Sequence, residues 1–194
     1  AAIFYRPNKH WNFVFGQTKL PGNRQRVNSS GALQLTDRSI NNAKFTIDRD
    51  FGFQAYYLNE NQDKFSYNLK TAVSTGEGRN WTKSADDGVA LTGKLELMPF
   101  GSFKKDGTHF EGDIAREETP KVLVSGAFSQ NNLSKRTQGQ LGEDLFAPKT
   151  TKALFLDAML KYNGWSLMSA YMSRATKDPI AFNPDDITEF NYVP

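Results

Sequence analysis

The sequence predicts an all-β protein built as an antiparallel transmembrane β-barrel, and three observations carry that expectation. Residues 64–74 alternate strictly, with Phe65, Tyr67, Leu69, Thr71 and Val73 on one face and Lys64, Ser66, Asn68, Lys70, Ala72 and Ser74 on the other. Alternation with period two over this length is a strand signature. The same contrast between an aromatic-aliphatic face and a face of lysines and amides recurs along the chain at about membrane-crossing length. Aromatic residues make up 13% of the 194 residues, including 15 Phe and 7 Tyr, and such rings favour strands over helices. The mean hydropathy of -0.59 suggests a water-soluble chain, and no run approaches the roughly 18 apolar residues of a membrane-spanning helix. A barrel evades that test, because only alternate residues of each strand face lipid.

Eight strands follow in order, over residues 2–6, 10–17, 51–58, 64–75, 89–98, 121–130, 152–162 and 165–175. Trp11, Phe13 and Phe15 oppose His10, Asn12 and Gly16; Phe51, Phe53, Ala55 and Tyr57 oppose Gly52, Gln54 and Tyr56. Leu91, Leu95 and Leu97 oppose Ala90, Thr92, Lys94 and Glu96, and Leu154, Leu156 and Leu160 oppose Phe155, Asp157, Met159 and Lys161. The segment 121–130 shows the weakest contrast. Outer-membrane barrels alternate short turns with long loops, and six of the seven inter-strand connections obey that alternation, 131–151 counting as a long loop. The exception, 99–120, is expected to form a small hairpin-like turn on Asp106-Gly107. Asn163-Gly164 suits a two-residue hairpin turn. Trp11, Tyr57, Tyr162 and Trp165 lie near strand ends, as interfacial girdles do. Lys70, Lys94, Lys161 and Arg174 are expected to point into a lumen.

Composition narrows the class. The absence of cysteine excludes a disulfide scaffold and suits a cytosolic or a bacterial envelope protein. A net charge of +3 is too small to imply nucleic acid. The chain opens on Ala1-Ala2 with no secretory leader and stops after Phe190-Asn191-Tyr192-Val193-Pro194, where another strand is due. Residues 1–194 are therefore expected to be a single barrel domain, incomplete at both ends.

Within the long loop 18–50, the segment richest in chemistry runs from Lys19 to Arg49. Lys19, Arg24, Arg26, Arg38, Lys44 and Arg49 face only Asp37 and Asp48, a surplus of four positive charges. Asn23, Asn28, Ser29, Ser30, Thr36 and Ser39 interleave as neutral hydrogen-bonding groups. Guanidinium forks match phosphate and carboxylate oxygens. Arg24, Arg26, Arg38, Lys19, Ser29, Ser30 and Arg49 are the candidate anion-binding residues. Lys83, in a later outer loop, is expected to be screened by water and salt.

The run Gly16-Gln17-Thr18-Lys19-Leu20-Pro21, then Asn23-Arg24-Gln25-Arg26-Val27-Asn28-Ser29-Ser30, then Asp37-Arg38-Ser39, resembles the phosphate-selective porin O and P family. Phe45 with Arg49-Asp50-Phe51-Gly52, Gly76-Glu77-Gly78-Arg79-Asn80, Pro99-Phe100-Gly101 and Lys161-Tyr162 are similar to its later landmarks. The resemblance implies a bacterial outer-membrane barrel of about sixteen strands, often trimeric, of which this chain covers about half. It also implies an inward-folding loop, so that residues 24–39 narrow the pore and small anions, phosphate among them, pass.

Other motifs carry less. Gly76-Glu77-Gly78 opens no helix and lacks the third glycine of a nucleotide loop, which leaves a turn. Asp106-Gly107, Glu111 and Asp113 do not have EF-hand spacing. Asn80-Trp81-Thr82 matches a glycosylation acceptor without meaning in a bacterial envelope. His10 and His109 are the only histidines, too few without cysteine for zinc. No Ser/His/Asp set emerges and Asp157 stands alone, so neither catalysis nor a cofactor is expected. Three function classes stay open: a passive anion channel in outer-membrane lipid, a barrel scaffold or partner subunit in a larger envelope complex, and a soluble β-sandwich binding anionic ligands.

Overall fold

Ten strands, two short helices and two 3₁₀ turns make up residues 1–81 and 88–193, the part described by a computed structural model. Lys83 lies outside the described residues. Strand accounts for 51% of the chain and helix for 10%, which places it in the mostly antiparallel β class. The eight expected strands all form: β1 (Ala2–Tyr5), β2 (Trp11–Lys19), β3 (Arg49–Asn59), β4 (Ser66–Ser74), β5 (Ala90–Met98), β6 (Lys121–Arg136), β7 (Asp144–Tyr162) and β8 (Trp165–Thr176). They pair in sequence order, each antiparallel to the next, in one sheet that is not closed; β1 and β8 are its edges. Ile180–Phe182 (β9) and Phe190–Tyr192 (β10) add a separate small hairpin.

Register settles which residues share a face. Leu69 pairs with Leu95, Leu95 with Gly126, and Gly126 with Leu156, a row whose leucines are exposed. The neighbouring row runs Asn12–Tyr56–Lys70–Lys94–Ala127–Phe155. Leu95 is 43% exposed whereas Lys94 is 4% exposed, so the apolar face is bare and the polar face is covered. Among the described residues the second sheet is the two-stranded β9–β10, which contacts β7 and leaves Leu69, Leu95 and Leu156 exposed. Trp11, Tyr57, Tyr67, Tyr162 and Trp165 gather at one end of the sheet, with Trp11 and Tyr57 in edge contact at 5.2 Å.

Two connections differ from expectation. Residues 131–151 are not a long loop, because β6 and β7 continue through them to leave only 137–143 between the strands. Their pairing is irregular there, shifting register between Asn131 and Ser134 and again before Arg136. Residues 99–120 do not form a hairpin on Asp106-Gly107. They hold a 3₁₀ turn, Lys104–His109, interrupted by positive φ at Lys105 and Asp106, and fold back over the polar face. The expected Asn163-Gly164 turn does form, with both residues at positive φ. At 76–78 a glycine turn forms as expected, and Gly76 and Gly78 both lie near φ +87. The Asp50 carboxylate accepts hydrogen bonds from the N–H groups of Gly76 at 2.6 Å and Gly78 at 3.2 Å.

Candidate functional site

The long loop enters from one end of the sheet and segment 99–120 from the other, and both settle on the polar face. Small side chains make room for the loop: Ala72, Ala127 and Ala153, beside Phe155, receive Leu20 and Ile47. Met98, Leu123 and Met159 receive Phe103 in the same way. Full burial of a Leu or Phe stabilises by about 1.5–3 kcal/mol, so these anchors offset part of the cost of ordering long loops. Lys161 completes the second anchor, its Nζ donating to the carbonyls of Gly107, Phe110 and Gly112 at 2.7–2.8 Å.

Between the two apolar anchors lies a charged middle. Arg24 opens the short helix α1 (Arg24–Val27). Its Nε donates to Asp157 Oδ1 and its Nη2 to Glu96 Oε1, both at 2.8 Å, while Nη1 reaches the Thr108 carbonyl at 3.1 Å. Lys94 Nζ lies 3.1 Å from Asp157 Oδ2 and Lys70 Nζ 2.8 Å from Glu96 Oε2. Three cations thus meet two carboxylates, leaving one positive charge over. Burial works against the Arg24 charge, but Glu96 and Asp157 outweigh it and hold the guanidinium above its ordinary value. The two inward segments also join directly: Glu111 accepts from Gln25 Nε2 at 3.2 Å and from the Gln34 N–H at 2.9 Å.

Beside this network a cavity of about 490 Å³ opens between the loop and strands β2–β5. Lys19, Arg24, Lys70 and Lys94 line it, as do Arg6, Lys9, His10 and His109, with Glu60, Glu96 and Asp106 as the carboxylates. Lys19 Nζ donates to the carbonyls of Val27 and Asn28 at 2.9 and 3.2 Å. Arg26, Arg38 and Arg49 stand close enough to repel it, and Arg49 is its cross-strand partner. The basic loop therefore concentrates charge behind the cavity.

Of the expected anion-binding residues, Lys19 and Arg24 reach the cavity. Arg26, Arg38, Arg49, Ser29 and Ser30 lie outside its lining. Arg24, Arg26 and Arg38 do not present unengaged guanidinium groups. Arg24 holds the network together, Arg26 grips Asp48, which also binds Arg79 at 3.0 Å, and Arg38 donates to the carbonyls of Gln25 and Asn28. Ser29 and Ser30 are exposed. Among the expected lumen residues, Lys70 and Lys94 line the cavity, but Lys161 anchors segment 99–120 and Arg174 donates to the Lys44 carbonyl at 2.8 Å. Sequence reasoning missed Arg6, Lys9, His10, Asn12 and His109. The basic turn Arg6-Pro7-Asn8-Lys9-His10 was a usable signal for part of that set.

His109 lends the cavity a pH response. Desolvation lowers its pKa below 6.5, Lys70 and Arg24 push the same way, and Glu96 and Asp106 oppose them. The ring is therefore neutral at pH 7 and gains a proton only on acidification. As pH falls from 6.5 through the lower folded value the cavity is expected to gain the charge of the His109 imidazolium, measured by NMR titration of the ring protons. A depressed histidine favours the fold above pH 6.5, and that contribution fades over the same window. A ring that titrates at or above pH 6.5 would show that His109 is not desolvated in this cavity. In comparisons with protein families, curated proteins and solved structures, no match to the chain was found.

Proposed function

We propose that this chain forms one wall of an outer-membrane β-barrel porin through which small anions, phosphate among them, diffuse passively and without catalysis. The observation that carries the reading is the inversion of the two faces. Large apolar side chains such as Phe53, Phe65, Leu69, Leu95 and Leu156 are exposed, while Lys94, Glu96 and Asp157 are buried beneath inward-folded segments. Water penalises such an apolar face, whereas a lipid bilayer accepts it. The nine residues of β2, β4 and β5, at about 3.3 Å each, give strands of about 30 Å, enough to cross the apolar band when tilted. The motifs around Lys19, Arg24 and Asp37, which resemble the phosphate-selective porin O and P family, agree with it. On this reading further strands extend both edges to about sixteen, and the barrel sits in a bacterial outer membrane as a trimer or in a larger envelope complex.

The scaffold reading draws on the tight seating of both inward segments, which suits a barrel serving as a platform within an assembly. The soluble sandwich needs a second sheet over the apolar face, and among the described residues the two-stranded β9–β10 leaves Leu69, Leu95 and Leu156 exposed. Planar-bilayer current separates the first two readings, and stability without detergent tests the third. Lys19→Glu is expected to shift the reversal potential toward cations, and more so at low ionic strength. The Debye length grows from about 8 Å at physiological salt to about 30 Å at 0.01 M. Lys177→Glu, on the exposed turn beyond β8, is expected to do much less. Equal small shifts from both would leave the cavity with no role in selectivity.

A further inference from the structure

The small hairpin β9–β10 has two unlike faces. Ala181 and Val193 are each 1% exposed, and the Asn191 side chain accepts a hydrogen bond from the Phe146 N–H at 2.9 Å, which seats one face against β7. Alternation sends Ile180, Phe182, Phe190 and Tyr192 to the other face. Pairing sets Phe182 opposite Phe190 and Ile180 opposite Tyr192, and the two phenyl rings meet edge to face at 6.2 Å. These four residues are between 41% and 60% exposed. An antiparallel sheet that packs on one face ordinarily carries polar side chains on the other. Here every outward position of both strands is a large apolar residue. The connection between them is ordered: Asn183 donates through its backbone N–H and its Nδ2 to Glu189, both at 2.9 Å, and the Asp186 carboxylate accepts the Thr188 N–H and hydroxyl at 2.9 and 2.7 Å.

The charge around this face selects its occupant. Over residues 177–189 the exposed carboxylates of Asp178, Asp185, Asp186 and Glu189 meet one lysine, Lys177, so a chain of net charge +3 carries a surplus of negative charge here. An exposed apolar patch rimmed by polar groups marks an interaction site, and complementary charge determines which partner it admits. Lipid chains fit the rings but not the carboxylates beside them. The hairpin is also bonded to Phe146, which lies past Thr151, the last residue of β7 paired with β8. We propose that the outer face of β9–β10 is a docking surface for a partner protein that presents apolar side chains flanked by lysine or arginine. The partner's apolar groups cover Phe182 and Phe190, and its cations pair with Asp178, Asp185 and Glu189. The aromatic rings add attraction for the same cations.

This inference goes beyond the porin reading, and equilibrium binding tests it without conduction. Three short fluorescent peptides are titrated with the detergent-purified protein: one alternates Leu with Lys, one Leu with Glu, and one Ser with Lys. By anisotropy the Leu–Lys peptide is expected to bind at least about tenfold more tightly than either of the others, the factor that 1.4 kcal/mol represents. Phe182→Ser is expected to bring it to within about twofold of the Ser–Lys peptide. Asp178→Asn combined with Asp185→Asn is expected to bring it to within about twofold of the Leu–Glu peptide. Both aspartates are exposed, so the second variant keeps the hairpin even where Phe182→Ser disturbs it. A Leu–Lys peptide that binds no better than Leu–Glu, or an advantage that the aspartate variant leaves intact, overturns the proposal. So does a multimer that Phe182→Ser splits, because a second copy of the chain then occupies the face.

Discussion

Arg24→Met is expected to unseat the long inward loop. The guanidinium is 5% exposed and engages two carboxylates and a carbonyl that lie on three separate parts of the chain. Without it, Glu96 and Asp157 keep only Lys70 and Lys94 as cationic partners, and the network changes from a surplus of one positive charge to balance. Breaking a buried pair from one side costs about 3–5 kcal/mol, because the remaining charge is left in a poor solvent. The sheet does not depend on this contact, so the loss falls on the loop. Limited proteolysis within residues 20–48 is expected to accelerate while the strand signal persists, and single-channel current is expected to step upward as the loop leaves the polar face. Unchanged proteolysis and current would show that Leu20 and Ile47 alone hold the loop.

Leu95→Arg carries the second large effect. Leu95 sits near the middle of β5 on the apolar face, between Leu69 and Gly126. An arginine facing lipid near mid-bilayer costs about 2–4 kcal/mol, against almost nothing near the headgroups. The midpoint of denaturant unfolding from lipid vesicles is expected to fall accordingly. Cysteine variants check the same assignment independently. Water-soluble thiol reagents are expected to reach position 70, which opens on the cavity, and to spare position 69 on the bare face. Since one residue of register slip exchanges the two faces, labelling at 69 alone would reverse every inside and outside assignment.

Strand order and facing were legible because alternation is a local property. Phe65 to Val73 carry their own direction, and the pairing of Leu69 with Leu95 follows once strands join in sequence order. The extension of β6 and β7 was not legible, since Asn131, Asn132 and Ser134 read as loop residues and the pairing survives there only through register shifts. The inward fold of 99–120 was hidden for a different reason. Lysines 104 and 105 with Asp106-Gly107 describe a surface turn, and what draws the segment in is Lys161, some fifty residues further along. The arginine-rich loop stands out in the sequence, whereas Glu96 and Asp157 read as ordinary members of a polar face. Nothing near Arg24 in the sequence announces that its counter-charges lie on β5 and β7.

The contact between Arg24 and Asp157 spans 133 residues, and that with Thr108 spans 84. Neither can form until β7 and segment 99–120 have been made and set in place. Closing loops of that length is entropically slow, whereas each hairpin of the sheet closes over a shorter stretch. The wall therefore assembles ahead of its stopper, and the chain passes through a stage with paired strands and an uncovered polar lining. On the porin reading proposed above, an intermediate of that kind is leakier than the finished protein, and seating the loop is then the step at which a newly inserted copy becomes safe for the cell that made it.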